Sequence, residues 1–227
     1  TMGGKCRNCV RGRPVLCENA RKSMTTLPDG TVRTHGKDGE DLNVFGACCV
    51  MAEYATLHVD NCVQIDGDVP MSSAALVGCA VITGVGSVFN TAELEPGSRA
   101  AVFGIGGVGL NAIQGCVTAG AEMVIAVDTN ASKLEMAKEF GATHTVNISE
   151  VEDVSKAIKK LSGGGVDYAF ECVGNGKVVE QAFKSLGRAG TVVVVGVADS
   201  KDKTSINTPA LPADAVPYTP LTRRPRY

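Results

Sequence analysis

Gly104-Ile105-Gly106-Gly107-Val108-Gly109 follows Ala100 to Phe103 and leads into the run Val108 to Ala119. The preceding residues read as a strand, and Leu110, Ile113 and Val117 share one face of a helix beyond the glycines. GxGxxG set between a strand and a helix is a dinucleotide fingerprint, whereas the same glycines out of that context would signify little. Gly104 permits the tight turn, Gly106 lets backbone approach a pyrophosphate, and Gly109 allows helix and strand to pack closely. The helix N-terminus then faces the phosphate charge. Ile105, Gly107 and Val108 lie within the same turn and count with these glycines as cofactor-binding candidates.

Outward from this turn, strand-like and helix-period segments alternate. Met123 to Val127 reads as a strand with Ala131 to Phe140 as its helix, and His144 to Asn147 as a short strand. A helix with Val154, Ile158 and Leu161 on one face follows. Val166 to Phe170 is a fourth strand, then a helix carrying Val179, Ala182, Phe183 and Leu186, and Thr191 to Val197 a fifth strand. Parallel neighbours need crossovers and helices must cover both faces, so the pattern predicts an α/β, doubly wound parallel sheet of Rossmann type. Ahead of it, Pro70 opens an Ala- and Leu-rich helix, Met71 to Ala80, and a second helical piece runs from Val85 to Ala92. Val44 to Ile65 suggests short strands, residues 1 to 45 are loop-like, and the Pro-rich residues 212 to 227 read as an unstructured tail.

The chain has 227 residues, 44% hydrophobic and 20% charged, a globular balance. Its formal net charge of -2 leaves no electrostatic footprint for nucleic acid or an anionic membrane. The Val192 to Val195 run falls far short of a membrane span, and no secretory pattern opens the chain, so a cytoplasmic location and no membrane partner are expected.

Asp128 ends the second strand, where the fingerprint places an acid against the adenosine ribose hydroxyls; an acid there repels a 2′-phosphate and favours NAD over NADP. The competing reading is a strand-end Asp capping the next helix. Cys6, Cys9 and Cys17 form CxxC, seven residues and a further Cys, a spacing suited to zinc but one thiol short of a closed tetrahedral site. Free surface thiols are the equal alternative. Cys79 in its Ala-rich helix reads on its own as a small buried hydrophobe. Cys48, Cys49, Cys62, Cys116 and Cys172 show no ligand spacing and are expected to pack. His35, His58 and His144 cluster neither with one another nor with an acid, and Lys133 reads as a solvated first-turn residue.

Over positions 3 to 211 these residues resemble the zinc-containing medium-chain alcohol dehydrogenases. Gly4-Lys5-Cys6-Arg7-Asn8-Cys9 with Cys17 is similar to the family's structural zinc loop, whose first ligand would fall at Gly3. Leu76-Val77-Gly78-Cys79 with Thr83-Gly84 resembles the segment supplying a catalytic zinc ligand and a nicotinamide-contacting Thr. Glu93-Leu94-Glu95-Pro96-Gly97 running into Val102-Phe103 is similar to the glutathione-dependent formaldehyde dehydrogenase branch.

The resemblance implies a remnant of a GroES-like catalytic domain over 1–80, an NAD-binding Rossmann domain with five of six strands over 81–211, and a tail over 212–227. It implies zinc at Cys6, Cys9 and Cys17 and at Cys79, with Cys79 and Thr83 as catalytic residues. Thr83 and Val108 would flank the nicotinamide, Asp128 with Lys133 would hold the ribose, and Val173, Gly174, Asn175, Val195, Gly196 and Val197 would line the remaining groove. The implied reaction is zinc-assisted hydride transfer between NAD and a primary alcohol or hydroxymethyl-thiol adduct. Small-molecule alcohols or aldehydes are the implied partners, with a homo-oligomer as a further expectation. The family's other catalytic ligands have no counterpart here, so a truncated, catalytically incomplete chain is expected, with the fifth strand left at an exposed edge. A non-catalytic NAD- or zinc-binding module, or a zinc-free quinone or enoyl reductase of the same superfamily, are the alternatives.

Overall fold

The computed structural model describes residues 4–18, 25–26, 30–43, 53–55, 57, 59 and 62–206. Gly3, Cys48, Cys49, His58 and the expected tail lie outside the described residues, as does most of 44–65; the described remainder of that stretch contains no strand. Contacts divide the chain into two compact units, with the division between Val69 and Pro70.

In the first unit, the leader folds as a knuckle closed by a short 3-10 turn, Pro14–Leu16. Farther on, His35 and Asp41 form an antiparallel bridge. His35 Nδ1 also lies 3.0 Å from Asp41 Oδ1, correcting the expectation that no His meets an acid. The partner is near in sequence, but only a tight reversal through Gly39, at φ 81, turns the chain back to it.

The second unit opens with one continuous helix, α1 (Met71–Ala92), rather than two pieces. The expected break at 81–84 is bridged chiefly by a regular α-helical turn, Ile82–Gly86, flanked by two π-helical stretches, Val77–Val81 and Ser87–Ala92. The helix stops at Glu93, whose φ of 48 is left-handed. α1 is 22 residues long and holds an 18-residue window of mean hydropathy 1.8, so by length and composition alone it is long and apolar enough to cross a membrane. Ala, Gly and Ser among its larger apolar residues hide this length from a search for Val-rich stretches. Gly84, Ser87 and Val88 are buried, whereas Met71, Leu76 and Ile82 are exposed.

Then come β1 (Arg99–Phe103), α2 (Gly107–Thr118), β2 (Met123–Asp128), α3 (Ala131–Glu139), β3 (His144–Asn147), α4 (Val154–Leu161), β4 (Val166–Glu171), α5 (Gly176–Lys184) and β5 (Leu186–Val194). The sheet order is β3-β2-β1-β4-β5, and all four pairings are parallel. Strands buried on both sides read as continuous apolar runs, and β1 and β2 are buried almost throughout. One face packs Ala112, Ile113 and Leu134 of α2 and α3 on the sheet, and the other packs Val154, Ile158 and Ala182 of α4 and α5.

The last strand departs from expectation. Leu186 begins β5 opposite Val166 instead of ending α5, although its spacing from Ala182 and Phe183 is helical. Ser185 returns its hydroxyl to Gln181 O, 2.7 Å away, at the helix end. The strand then runs through Gly187, Ala189 and Gly190 with an irregularity opposite Val166 to Tyr168, and ends at Val194 rather than Val197. Among the described residues β5 is an edge strand.

Candidate functional site

The sheet order places β1 between β2 and β4, with chain connections leaving β1 and β4 toward opposite sheet edges. A crevice at the carboxyl ends of such strands is where α/β proteins take ligands. Gly104 N–H donates to Val127 O and Cys172 N–H to Phe103 O, at 2.8 and 2.9 Å, so the loops after β1, β2 and β4 share one rim.

Gly104 sits at φ 87, and a Cβ there would lie 2.5 Å from Val173 Cγ2. A Cβ on Gly109 would run into the carbonyl oxygen of Gly104, so these two glycines are demanded by the protein itself. Gly106 differs: a Cβ on it would meet nothing within 4 Å, which leaves room for a ligand against the backbone. It also begins α2 with no side-chain cap, so helix-terminal N–H groups remain for an anion.

A cavity of about 380 Å³ joins Gly104, Ile105 and Gly106 to Asp128, Lys133 and Val173, within the range of small-molecule sites. Asp128 is buried, and its carboxylate accepts from Ile105 N–H at 2.8 Å and Asn130 N–H at 2.9 Å. It does not cap α3; Asn130 does, accepting from Ser132 N–H at 2.9 Å. Lys133 is exposed in the first turn of α3.

Gly107, Val108, Thr83 and the residues after β5 do not line this cavity. Thr83 is exposed on α1, while neighbouring Gly84 approaches α2 so closely that a Cβ would strike Val108 O, Asn111 and Ala112. Gly174 and Gly196 also pack backbone on backbone, bringing the turns after β4 and β5 together. Asn175 caps α5, accepting from Lys177 and Val178 N–H, and borders a separate apolar cavity of about 320 Å³. Val197 is 93% exposed.

Sequence reasoning missed Glu171. This wholly buried carboxyl accepts from Val173 N–H and Gly174 N–H, both at 2.8 Å, and so fixes the turn that faces Gly104. Its Oε2 has no hydrogen-bond partner among the described residues. An acid closing an apolar strand just before a Gly turn was the available signal. Burial pushes the neighbouring Cys172 thiol up to about 12, with the Glu171 carboxylate as second cause.

Cys6, Cys9 and Cys17 come together, their sulfurs all within 4.8 Å of one another. Cys6 and Cys9 approach to 3.5 Å, and Cys17 is buried. The two thiols shift in opposite directions: backbone hydrogen bonds from Glu18 and Cys9 lower the Cys6 thiol, whereas desolvation raises that of Cys9. Cys79 is exposed within the first π-helical turn of α1, correcting its reading as a buried hydrophobe; Cys62, expected to pack, is exposed as well. Among the described residues Cys79 joins no group of three metal donors.

Residues 107–216 match the family described as zinc-binding dehydrogenase. The chain is 38% identical over 203 residues to S-(hydroxymethyl)glutathione dehydrogenase of Paracoccus denitrificans, covering 86% of this chain and 54% of that protein. It is 35% identical to the Saccharomyces cerevisiae protein of the same name, covering 89% of this chain and 54% of that one. The chain spans about half the length of the curated relatives it matches. Among solved structures, an alcohol dehydrogenase zinc-binding domain protein from Burkholderia ambifaria superposes with TM-score 0.86 at 34% identity, covering 93% of this chain and 58% of that one. Benzyl alcohol dehydrogenase from Acinetobacter calcoaceticus gives 0.81 at 31% identity, over 93% and 57%. With its doubly wound fold and this match over residues 107–216, the chain is similar to the zinc-binding dehydrogenases.

Proposed function

We propose that the chain supplies the coenzyme-binding part of an NAD-dependent alcohol dehydrogenase acting on a primary alcohol or a hydroxymethyl-thiol adduct. The observation that carries this reading is the open space over Gly106, beside uncapped helix-terminal amides and the Asp128 carboxylate. The amides of α2 and the Gly106 backbone bind the pyrophosphate, and Asp128, with Lys133 at the rim, accepts the ribose hydroxyls. Thr83 and Val108 orient the nicotinamide, while Val173, Gly174, Asn175 and Val195 to Val197 bound the remaining groove. NAD, when bound, supplies the hydride acceptor.

Cys79 lacks accompanying donors among the described residues, so no proton or hydride step is assigned through a metal there. Weak NAD binding with little turnover is therefore the expected behaviour of this chain alone. In the domain reading, 1–80 belongs to the catalytic part and 81–211 to the coenzyme part. A cytoplasmic setting and a homo-oligomeric state belong to the same proposal.

Calorimetry with NADH tests it: wild type binds, and Asp128→Ala binds more weakly. Equal affinity of the two proteins would remove the ribose role. The lone Cys79 also favours a second reading, a non-catalytic NAD-binding module. Robust alcohol oxidation with zinc bound at Cys79 would exclude that module, and NADH binding without turnover would support it.

A further inference from the structure

The leader is built more rigidly than a stretch of loose thiols requires. Val10 N–H donates to Cys6 O, Gly12 N–H to Cys9 O and Arg13 N–H to Asn8 O, at 3.1, 3.0 and 2.9 Å. Asn8 Nδ2 reaches across to Leu16 O at 2.9 Å, and Cys17 N–H donates to Pro14 O at 3.0 Å. These bonds hold three sulfurs within 4.8 Å of one another before any ion arrives. Thiolates at about 2.3 Å from a tetrahedral zinc stand roughly 3.8 Å apart, so small adjustments bring all three into range.

A closed structural zinc site uses four protein ligands, whereas three protein ligands leave a position for a donor from solution. The position that would extend the CxxC spacing upstream is Gly3, which carries no side-chain donor. Among the described residues, no fourth Cys, His, Asp or Glu joins the group. Cys17 is buried, but Cys6 and Cys9 are only partly so, which leaves that pair reachable from solvent. Lys5, Arg7, Arg11 and Arg13 punctuate the loop, and their charge offsets three thiolates and favours an anionic fourth donor.

We propose that Cys6, Cys9 and Cys17 hold a thiophilic divalent ion such as zinc through three thiolates and leave its fourth position open to a small exogenous thiolate. The metal displaces three thiol protons on binding. An incoming thiol then replaces bound water, its proton leaving to solvent, with no change of oxidation state. Soft sulfur donors match such an ion, so thiols should outcompete oxygen ligands. This proposal rests on the leader alone; it stands or falls separately from the coenzyme reading.

Cobalt(II) is the probe, added to the full chain in a Cys79→Ser background and followed by its thiolate charge-transfer and visible bands. We expect cobalt bands that shift saturably when 2-mercaptoethanol is added. Gly3→Cys should give bands that no longer respond, because a fourth thiolate closes the site, and Cys17→Ser should lose most of the charge-transfer intensity. Bands indifferent to thiol in the parent protein would overturn the proposal by revealing an internal fourth ligand. So would failure to load cobalt, stripping of the metal by thiol, undiminished bands in Cys17→Ser, or a Gly3→Cys protein that responds like its parent.

Discussion

The Asp128 carboxylate accepts the amide hydrogen of Ile105 at 2.8 Å, tying the end of β2 to the glycine turn after β1. Its second oxygen accepts from Asn130 N–H, and an ionised carboxylate still has lone pairs left for ribose hydroxyls. The acid holds the turn, and under the proposed coenzyme reading it also accepts ribose hydroxyls; substitutions can separate the two roles. Asp128→Ala strips the acceptor from the buried Ile105 amide and should cost about 1–3 kcal/mol of stability as well as NADH affinity. Asp128→Asn keeps one carbonyl oxygen, so it should melt in urea nearer the wild type while still binding NADH more weakly. Wild-type NADH affinity in Asp128→Asn would show that the carboxylate serves only the turn.

The fingerprint glycines should also divide. Gly106→Ala adds a methyl group to open space, so unfolding should change by less than about 1 kcal/mol. NADH affinity should nevertheless fall, because the methyl occupies the room needed for close backbone approach. Gly109→Ala drives a methyl group into Gly104 O and should destabilise the fold by several kcal/mol or prevent soluble expression. Urea titration and NADH fluorescence on the same preparations separate the effects. A Gly109→Ala protein as stable as wild type would contradict the close packing of α2 on β1.

The glycine turn and the cavity beside it were legible because their requirements are local: a strand, spaced glycines, a helix and an acid ending the next strand all lie within one βαβ unit. Glu171 was not, since its role depends on where the turn after β4 returns over its own strand. Leu186 misled for the opposite reason. Its helical spacing is satisfied by sequence alone, whereas pairing with Val166 across the sheet decides its state. The length of α1 was obscured by Gly and Ser within it, which a regular α-helical turn and its flanking π-helical stretches accommodate without ending the helix. The spacing of Cys6, Cys9 and Cys17 pointed to one group, and the turn at Pro14 is what brings Cys17 to the other two.

Glu171 offers a comparison within one side chain. Oε1 accepts two amide hydrogens, while buried Oε2 accepts none among the described residues. Glu171→Ala removes both bonds and leaves a void, so a loss of at least about 2 kcal/mol is expected. Glu171→Gln retains an oxygen for the Val173 and Gly174 amides and removes a buried charge, and should stay within about 1 kcal/mol of wild type or exceed it. Denaturant unfolding checks both. A Gln variant as damaged as the Ala variant would mean that the second oxygen has a partner.

Alkaline pH should weaken the fold through its buried thiols. Burial pushes Cys116 up to about 12, with nearby Cys172 adding to the rise, and burial with the Glu171 carboxylate does the same to Cys172. Desolvation raises Tyr168 too. An unfolded cysteine ionises near pH 8.5. Below that value both states keep the thiol protons and the stabilisation is complete; above it the unfolded chain loses them while the native chain does not, and unfolding gains ground. The urea midpoint should therefore decline as pH rises from about 8.5 toward 12, and Cys116→Ala should make the decline shallower. Alkylation gives an independent check, since exposed Cys79 should react at pH 8 while buried Cys116 resists until the protein unfolds. Rapid labelling of Cys116 in the native protein would show that its thiolate is accessible and that the burial argument fails.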